Sequence, residues 1–114
     1  VEGTLSCELP KILVKKNDIH ITSKRNFDCF QDTELDMLLK RTLNVKNIII
    51  CGVNTDTCVY GTTFGASNRG YNPIVIECCT GSMRGEDQHQ TALKIMSQSI
   101  AWVMKKEEVL NKLN

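Results

Sequence analysis

The stretch Gly52-Val53-Asn54-Thr55-Asp56-Thr57-Cys58-Val59 decides how this chain is read. Ahead of it runs a β-branched apolar segment, Val45-Lys46-Asn47-Ile48-Ile49-Ile50-Cys51. Behind it lie the weakly helical residues 60–69, closed by Gly70. The pattern predicts a strand, a turn and a helix. Asn54, Thr55 and Asp56 are residue types that accept hydrogen bonds from the free N–H groups of a helix start. Cys58 then falls in the first helical turn, where the positive end of the helix favours a thiolate. In an open α/β sheet, ligands bind at the carboxyl ends of the strands. On these residues alone two readings of Cys58 stand open. It is a nucleophile, or it is a small apolar residue packed under the helix, since free cysteine is usually buried.

Working upstream, residues 24–32 form a polar loop carrying Phe27 and Phe30, and Thr33 caps a helix that starts at Glu34, with Leu35, Leu38, Leu39 and Leu43 on one face. Asp18-Ile19-His20-Ile21-Thr22-Ser23 alternates at period two and predicts a short strand. Residues 1–17 read as irregular, with a brief pairing at Lys11-Ile12-Leu13-Val14. Working downstream, Asn72-Pro73-Ile74-Val75-Ile76-Glu77-Cys78 predicts a strand, Thr80-Gly81-Ser82 a loop, and residues 87–98 a helix with Leu93 and Met96 apolar. Ile100-Ala101-Trp102-Val103 gives a last short strand and residues 105–113 a last short helix. Strands and helices alternate, which implies an α/β fold in three layers: a mostly parallel sheet with helices on both faces. No internal repeat, low-complexity segment or linker divides residues 1–114, so they read as one domain.

Composition narrows the function. The chain has 114 residues, 41% of them hydrophobic, enough for a core. Net charge is +1 with no basic block, which argues against nucleic acid or an anionic membrane as partner. No apolar run approaches the ~18 residues of a membrane span. Val1-Glu2-Gly3-Thr4 has neither the charged nor the apolar part of a signal peptide, and it lacks Met. The expectation is a cytoplasmic protein whose sequence here begins inside a longer chain. The six cysteines are Cys7, Cys29, Cys51, Cys58, Cys78 and Cys79. Their even number invites a disulfide framework. Against it, Cys51 and Cys78 sit in or at the end of strand-like runs, and adjacent Cys78-Cys79 is a poor staple. No Cys-x-x-Cys occurs and His20 and His89 stand alone, which argues against zinc. Reduced thiols are expected, with no metal and no cofactor.

In several ordered pieces the chain resembles the isochorismatase-like cysteine hydrolases, which include nicotinamidases and N-carbamoyl-amide, ureidoacrylate and biuret hydrolases. Gly52 to Val59 is similar to that family's Gly-Val-x-Thr-(Asn/Asp)-x-Cys-Val nucleophile turn. Lys24, Phe30, Thr33 and Leu35 fit its Lys-x5-Phe-x2-Thr-x-Leu spacing without a gap. Gly3-Thr4, Gly70-Tyr71, Glu77-Cys78-Cys79-Thr80-Gly81-Ser82, and Glu86 with His89, Ala92 and Leu93 resemble further family stretches. The cysteine turn and the lysine block, in that order, are the specific signals. The resemblance implies amide hydrolysis through a thioester by an Asp–Lys–Cys triad. Cys58 is then the nucleophile, and Lys24 the cation that favours its thiolate. Backbone N–H groups of Asn54 and Cys58 would hold the oxyanion, next to a cis peptide at Val53–Asn54. Phe30 and Thr55 are implied pocket residues.

The departures from the family pattern matter as much. No segment matches the first-strand Leu-Asp-x-Gln that carries the triad Asp; Asp18, Asp28, Asp32, Asp36, Asp56 and Asp87 all stand in another context. A family metal cluster, Asp-x-His-x-His, would fall in that unmatched part. Asp28 adds negative charge and disfavours an anionic substrate. The implied substrate is a small amide or ureide. Cys58 argues against true isochorismatase chemistry, and the Thr-Gly-Ser loop with Asp56 leans towards the biuret and ureidoacrylate branch. The expected assembly is a homo-oligomer or association with a missing N-terminal segment. Two other readings are a catalytically incomplete subunit that serves assembly, and a redox-sensing protein that uses Cys58.

Overall fold

Three consecutive isoleucines favour extended backbone, because β-branched side chains pack well on a pleated surface. They lie in β1 (Asn47–Val53), which runs through the turn at residues 54–57 into α2 (Cys58–Asn68). Gly70 ends that helix at φ +86°, a left-handed conformation suited to glycine, and the Tyr71 N–H returns to the Ala66 carbonyl at 3.0 Å. Then follow β2 (Asn72–Gly81), α3 (Glu86–Ser99), β3 (Trp102–Met104) and α4 (Lys106–Leu113). The computed structural model describes residues 9–113; the expectations placed on Gly3-Thr4 and Cys7 lie outside them. Among the described residues the sheet has the order β1-β2-β3, parallel throughout.

Successive side chains on a strand point to opposite faces. On one face Ile50 and Val75 join Val59 and Ala66 of α2 and Ala92, Leu93 and Met96 of α3 in a single buried cluster. On the other face Ile76 is buried as well, where α4 packs on β2 and buries Val109. Helices therefore cover both faces of β2, the three-layer arrangement expected. β1 is covered on one face only: Ile49 is 41% exposed.

Before β1 the helix is shorter than its leucine spacing predicts. It comprises α1 (Leu35–Met37) and a wider π-helical turn (Leu38–Thr42). Leu35 and Leu39 pack on the core, but the wider turn breaks the phase and Leu43 is left 48% exposed. Thr33 Oγ1 accepts the Leu35 N–H at 3.4 Å and donates to the Cys29 carbonyl at 2.6 Å.

Two strand expectations fail. Asp18–Ser23 forms no strand. Alternation settles which side chains share a face, but a strand also needs a ladder partner, and β1 is bonded along only one edge. Lys11–Leu13 is a 3-10 turn set by Pro10, with the Leu13 N–H on the Pro10 carbonyl at 2.9 Å. β2, in contrast, outruns its expected end at Cys78. Ile50 pairs with Val75 and Gly52 with Thr80, so two steps along β1 match five along β2. β2 thus bulges out by three residues and then rejoins β1 at Thr80 and Gly81.

Candidate active site

The turn that follows β1 is held from downstream. The Val53–Asn54 peptide is cis. The Asn54 carbonyl accepts the N–H groups of Thr57 at 3.1 Å and Val59 at 3.0 Å, which closes the turn into α2. The three polar side chains expected to cap α2 do other work; Thr57 is the capping residue and no side chain bonds the helix start. Asn54 Oδ1 accepts the Met83 N–H at 2.9 Å. Thr55 is fully buried, its N–H on the Gly81 carbonyl at 2.9 Å and its hydroxyl 2.7 Å from His89 Nδ1. The Asp56 carboxylate accepts from the Ser82 hydroxyl at 2.7 Å and from Arg84 at 2.9 Å, and Arg84 also donates to Thr57 Oγ1 at 3.0 Å. These bonds hold the Asp56 carboxyl below its ordinary range, the Ser82 hydroxyl first and Arg84 second. Cys58 itself is half-buried at the first position of α2. There the leading N–H groups of a helix lack intrahelical acceptors and face outward.

Residues 27–30 lie along one face of α2. The Thr62 hydroxyl donates to the Phe27 carbonyl at 3.3 Å and accepts the Cys29 N–H at 3.1 Å. Gly61 lies against the backbone of Phe27 and Asp28, and Gly65 lies directly under the Asp28 carboxylate. Asp28 pairs with Arg69 at 3.2 Å and caps the Phe30 N–H at 2.8 Å. Positions 58, 61 or 62, 65 and 69 share a helix face. Phe27 and Cys29 thus both meet Thr62, while the Asp28 side chain reaches on to Gly65 and Arg69.

Lys24 is exposed, and among the described residues no hydrogen bond or ion pair joins it to Cys58. Its charge reaches the Cys29 thiol, which burial pushes up; the Thr62 hydroxyl opposes that rise, Asp28 adds to it, and Lys24 lowers it. Asp28 is seven residues along α2 from Cys58, about 10 Å at ~1.5 Å per residue. Its carboxylate is committed to Arg69 and Phe30. Phe30, expected in a pocket, is 4% exposed; it stacks on Tyr71 at 5.5 Å under the Arg69 guanidinium and belongs to the core. A cavity of about 190 Å³ opens beside the turn, lined by Asp56, Tyr60, Gln88, Thr91, Ala92 and Ile95. Cys58, Thr55 and Phe30 are not among its walls.

His89, Ser82 and Arg84 are the residues that sequence reasoning left without a role. Ser82 lay in the Thr-Gly-Ser loop and His89 in the Glu86-x2-His89 spacing, while Arg84 stood in no motif. What a sequence does not display is that these groups fold back 26 to 34 residues onto the turn.

Residues 2–108 match the family model described as the isochorismatase domain. The chain is 32% identical over 97 residues to YecD, an uncharacterized isochorismatase family protein of Escherichia coli O157:H7; the match covers 85% of this chain and 50% of that protein. A solved isochorismatase-like hydrolase from Alkaliphilus metalliredigens superposes with a TM-score of 0.90 at 27% identity, over 100% of this chain and 62% of the other. A nicotinamidase from Staphylococcus aureus superposes with a TM-score of 0.68 at 35% identity, over 72% of this chain and 50% of the other. The chain spans about half the length of the relatives it matches by sequence.

Proposed function

Because the chain belongs to the isochorismatase family, we propose that it carries the cysteine side of an amidohydrolase site, acting on a carbon–nitrogen bond of a small amide or ureide. The observation that carries this reading is the placement of Cys58. It is the first residue of α2, directly after the turn at residues 54–57 that follows β1, at the carboxyl end of that strand. The nicotinamidase likeness supports the substrate class.

In this reading the Cys58 thiolate attacks the substrate carbonyl carbon. The carbonyl oxygen takes up the negative charge and is held by the N–H groups of Asn54 and Cys58. The carbon–nitrogen bond then breaks, the nitrogen leaves as ammonia or amine after gaining a proton, and a thioester remains on Cys58. Water attacks the thioester and releases the carboxylic acid and the thiol. Lys24 favours the thiolate by its charge. In this reading the proton shuttle is a carboxylate supplied from outside these 114 residues, since Asp28 is bound towards the far end of α2 and Asp56 is held by Ser82 and Arg84.

The test is ammonia release from a panel of small amides and ureides. It is measured with the 114-residue chain, with the chain extended upstream by a segment carrying Leu-Asp-x-Gln, and with Cys58→Ser in each. The longer form is expected to turn over and the chain alone to be slower by ~10²–10⁴, the usual worth of a positioned acid–base group. Cys58→Ser should abolish turnover. Turnover that survives Cys58→Ser would overturn the nucleophile assignment.

A further inference from the structure

β2 bulges by three residues opposite Cys51, and the bulge holds Cys78 and Cys79. All three are exposed free thiols. Side chains of adjacent strand residues ordinarily diverge, yet here the sulfurs of Cys78 and Cys79 lie 3.9 Å apart. Cys79 is the centre of the group. It stands one residue before Thr80, as Cys51 stands one residue before Gly52, the residue paired with Thr80; its thiol is raised first by desolvation and then by Cys78 and Cys51. Among the described residues no cluster of His, Cys, Asp or Glu has a metal-holding arrangement, so the group is read through thiol chemistry. The hydrolysis proposed for Cys58 uses none of the three.

We propose that Cys51, Cys78 and Cys79 form a thiol–disulfide exchange site that reacts with low-molecular-weight disulfides and closes a Cys51–Cys79 bond between β1 and β2. Geometry selects the pair. Disulfides usually span Cα atoms about 4.4–6.8 Å apart. Adjacent residues such as Cys78 and Cys79 are held at about 3.8 Å, which is too close, whereas Cys51 and Cys79 each stand one residue before the paired Gly52 and Thr80, on strands whose ladder spacing is ordinarily about 4.7–4.9 Å. The Cys51 thiolate attacks one sulfur of the small disulfide; a mixed disulfide forms and one small thiolate leaves. Cys79 gives its proton to solvent and attacks the Cys51 sulfur. The protein disulfide forms and the second small thiolate leaves. Two protein thiols are oxidised, and the small disulfide is reduced to two thiols, each taking up a proton.

The experiment incubates the 114-residue chain with oxidised glutathione, titrates thiols after denaturation and maps linked peptides by mass spectrometry. The expected result is a loss of two of the six thiols, one linked peptide pair containing Cys51 and Cys79, Cys29 and Cys58 still alkylatable, and full reversal by dithiothreitol. Cys79→Ser should stop at a stable glutathione adduct on Cys51 with no internal bond. These are exposed positions, so the variant is expected to fold. Six thiols unchanged, a persistent glutathione adduct on the unsubstituted chain, a Cys78–Cys79 bond, or a bond through Cys7, Cys29 or Cys58 would each overturn the proposal. Because hydrolysis is not measured, the outcome is independent of the Cys58 reading.

Discussion

Cys29 and Cys58 are both half-buried thiols along the same face of α2, but their surroundings differ. Burial pushes the Cys29 thiol up, while Cys58 stands at the first position of α2. Under iodoacetamide near neutral pH, Cys58 should react faster than Cys29, by roughly tenfold, because burial holds the Cys29 thiol protonated and alkylation takes the thiolate. Faster labelling of Cys29, followed by peptide mass, would remove the nucleophile assignment. The bond between Thr55 and His89 gives a second prediction. Thr55→Val keeps the shape but leaves a buried imidazole nitrogen without its partner, which costs about 1–3 kcal/mol. A fall in unfolding free energy of that size is expected, read as a lower urea midpoint with the slope unchanged. Asp56 gives the third. Its carboxyl ionises at lower pH in the folded protein than in the unfolded chain. The stability it contributes is therefore complete above the unfolded value of about 3.9 and is lost as pH falls through the lower folded value. Urea midpoints followed from about pH 6 to about pH 3 should fall less steeply for Asp56→Asn than for the unsubstituted chain.

The packing of residues 27–30 on α2 depends on two glycines one turn apart, Gly61 and Gly65. A methyl group at Gly65 would overlap the Asp28 carboxylate. Gly65→Ala gains up to about 1 kcal/mol of helix propensity and displaces a half-buried ion pair worth a similar amount. Overall stability should therefore change little, while the segment lifts. The measurable outcome is faster alkylation of Cys29, with the far-ultraviolet circular dichroism of the helices retained; an unchanged Cys29 rate would mean that the segment does not rest on this face. At this scale the sequence was most readable where periodicity and punctuation agreed. β1, α2, α3 and α4 fall within a residue or two of their patterns, because isoleucine runs, amphipathic spacing and a glycine stop are local signals. Asp18–Ser23 misled because a ladder needs a partner strand and β1 offers only one bonded edge. The extension of β2 beyond Cys78 was hidden because Thr80-Gly81-Ser82 reads as a loop; the register of Thr80 and Gly81 with Gly52 and Val53 carries the strand on to Gly81. The site was legible as Cys58 and its turn. The side chains that fasten the turn, from Ser82, Arg84 and His89, were not, because long-range hydrogen bonds leave no spacing to read.

Across the whole molecule the free edge of β1 is the feature with the largest consequence in solution. An unpaired strand edge is a template for another strand, and here it is flanked by Ile49 and by Val53, which is 67% exposed. The chain at micromolar concentration is expected to associate through this edge, and Ile49→Lys to shift it towards monomer, as a charged gatekeeper does. Light scattering coupled to size exclusion measures both; a monomer at every concentration would sink the idea. No helix among the described residues is long and apolar enough to cross a membrane. The sheet is also unevenly secured. Among the described residues, β2 is bonded on both sides and buried on both faces at Val75 and Ile76, whereas β1 is bonded on one side and bare on one face. The turn that bears Cys58 hangs from β1 in the chain, but its side chains and the Thr55 N–H are fastened to the segment that ends β2 and begins α3. When β1 frays, the turn stays with its later neighbours. Deuterium should enter the amides of Ile48 and Ile49 well before that of Thr55, so that the reactive loop keeps time with the most protected strand rather than with the one that delivers it.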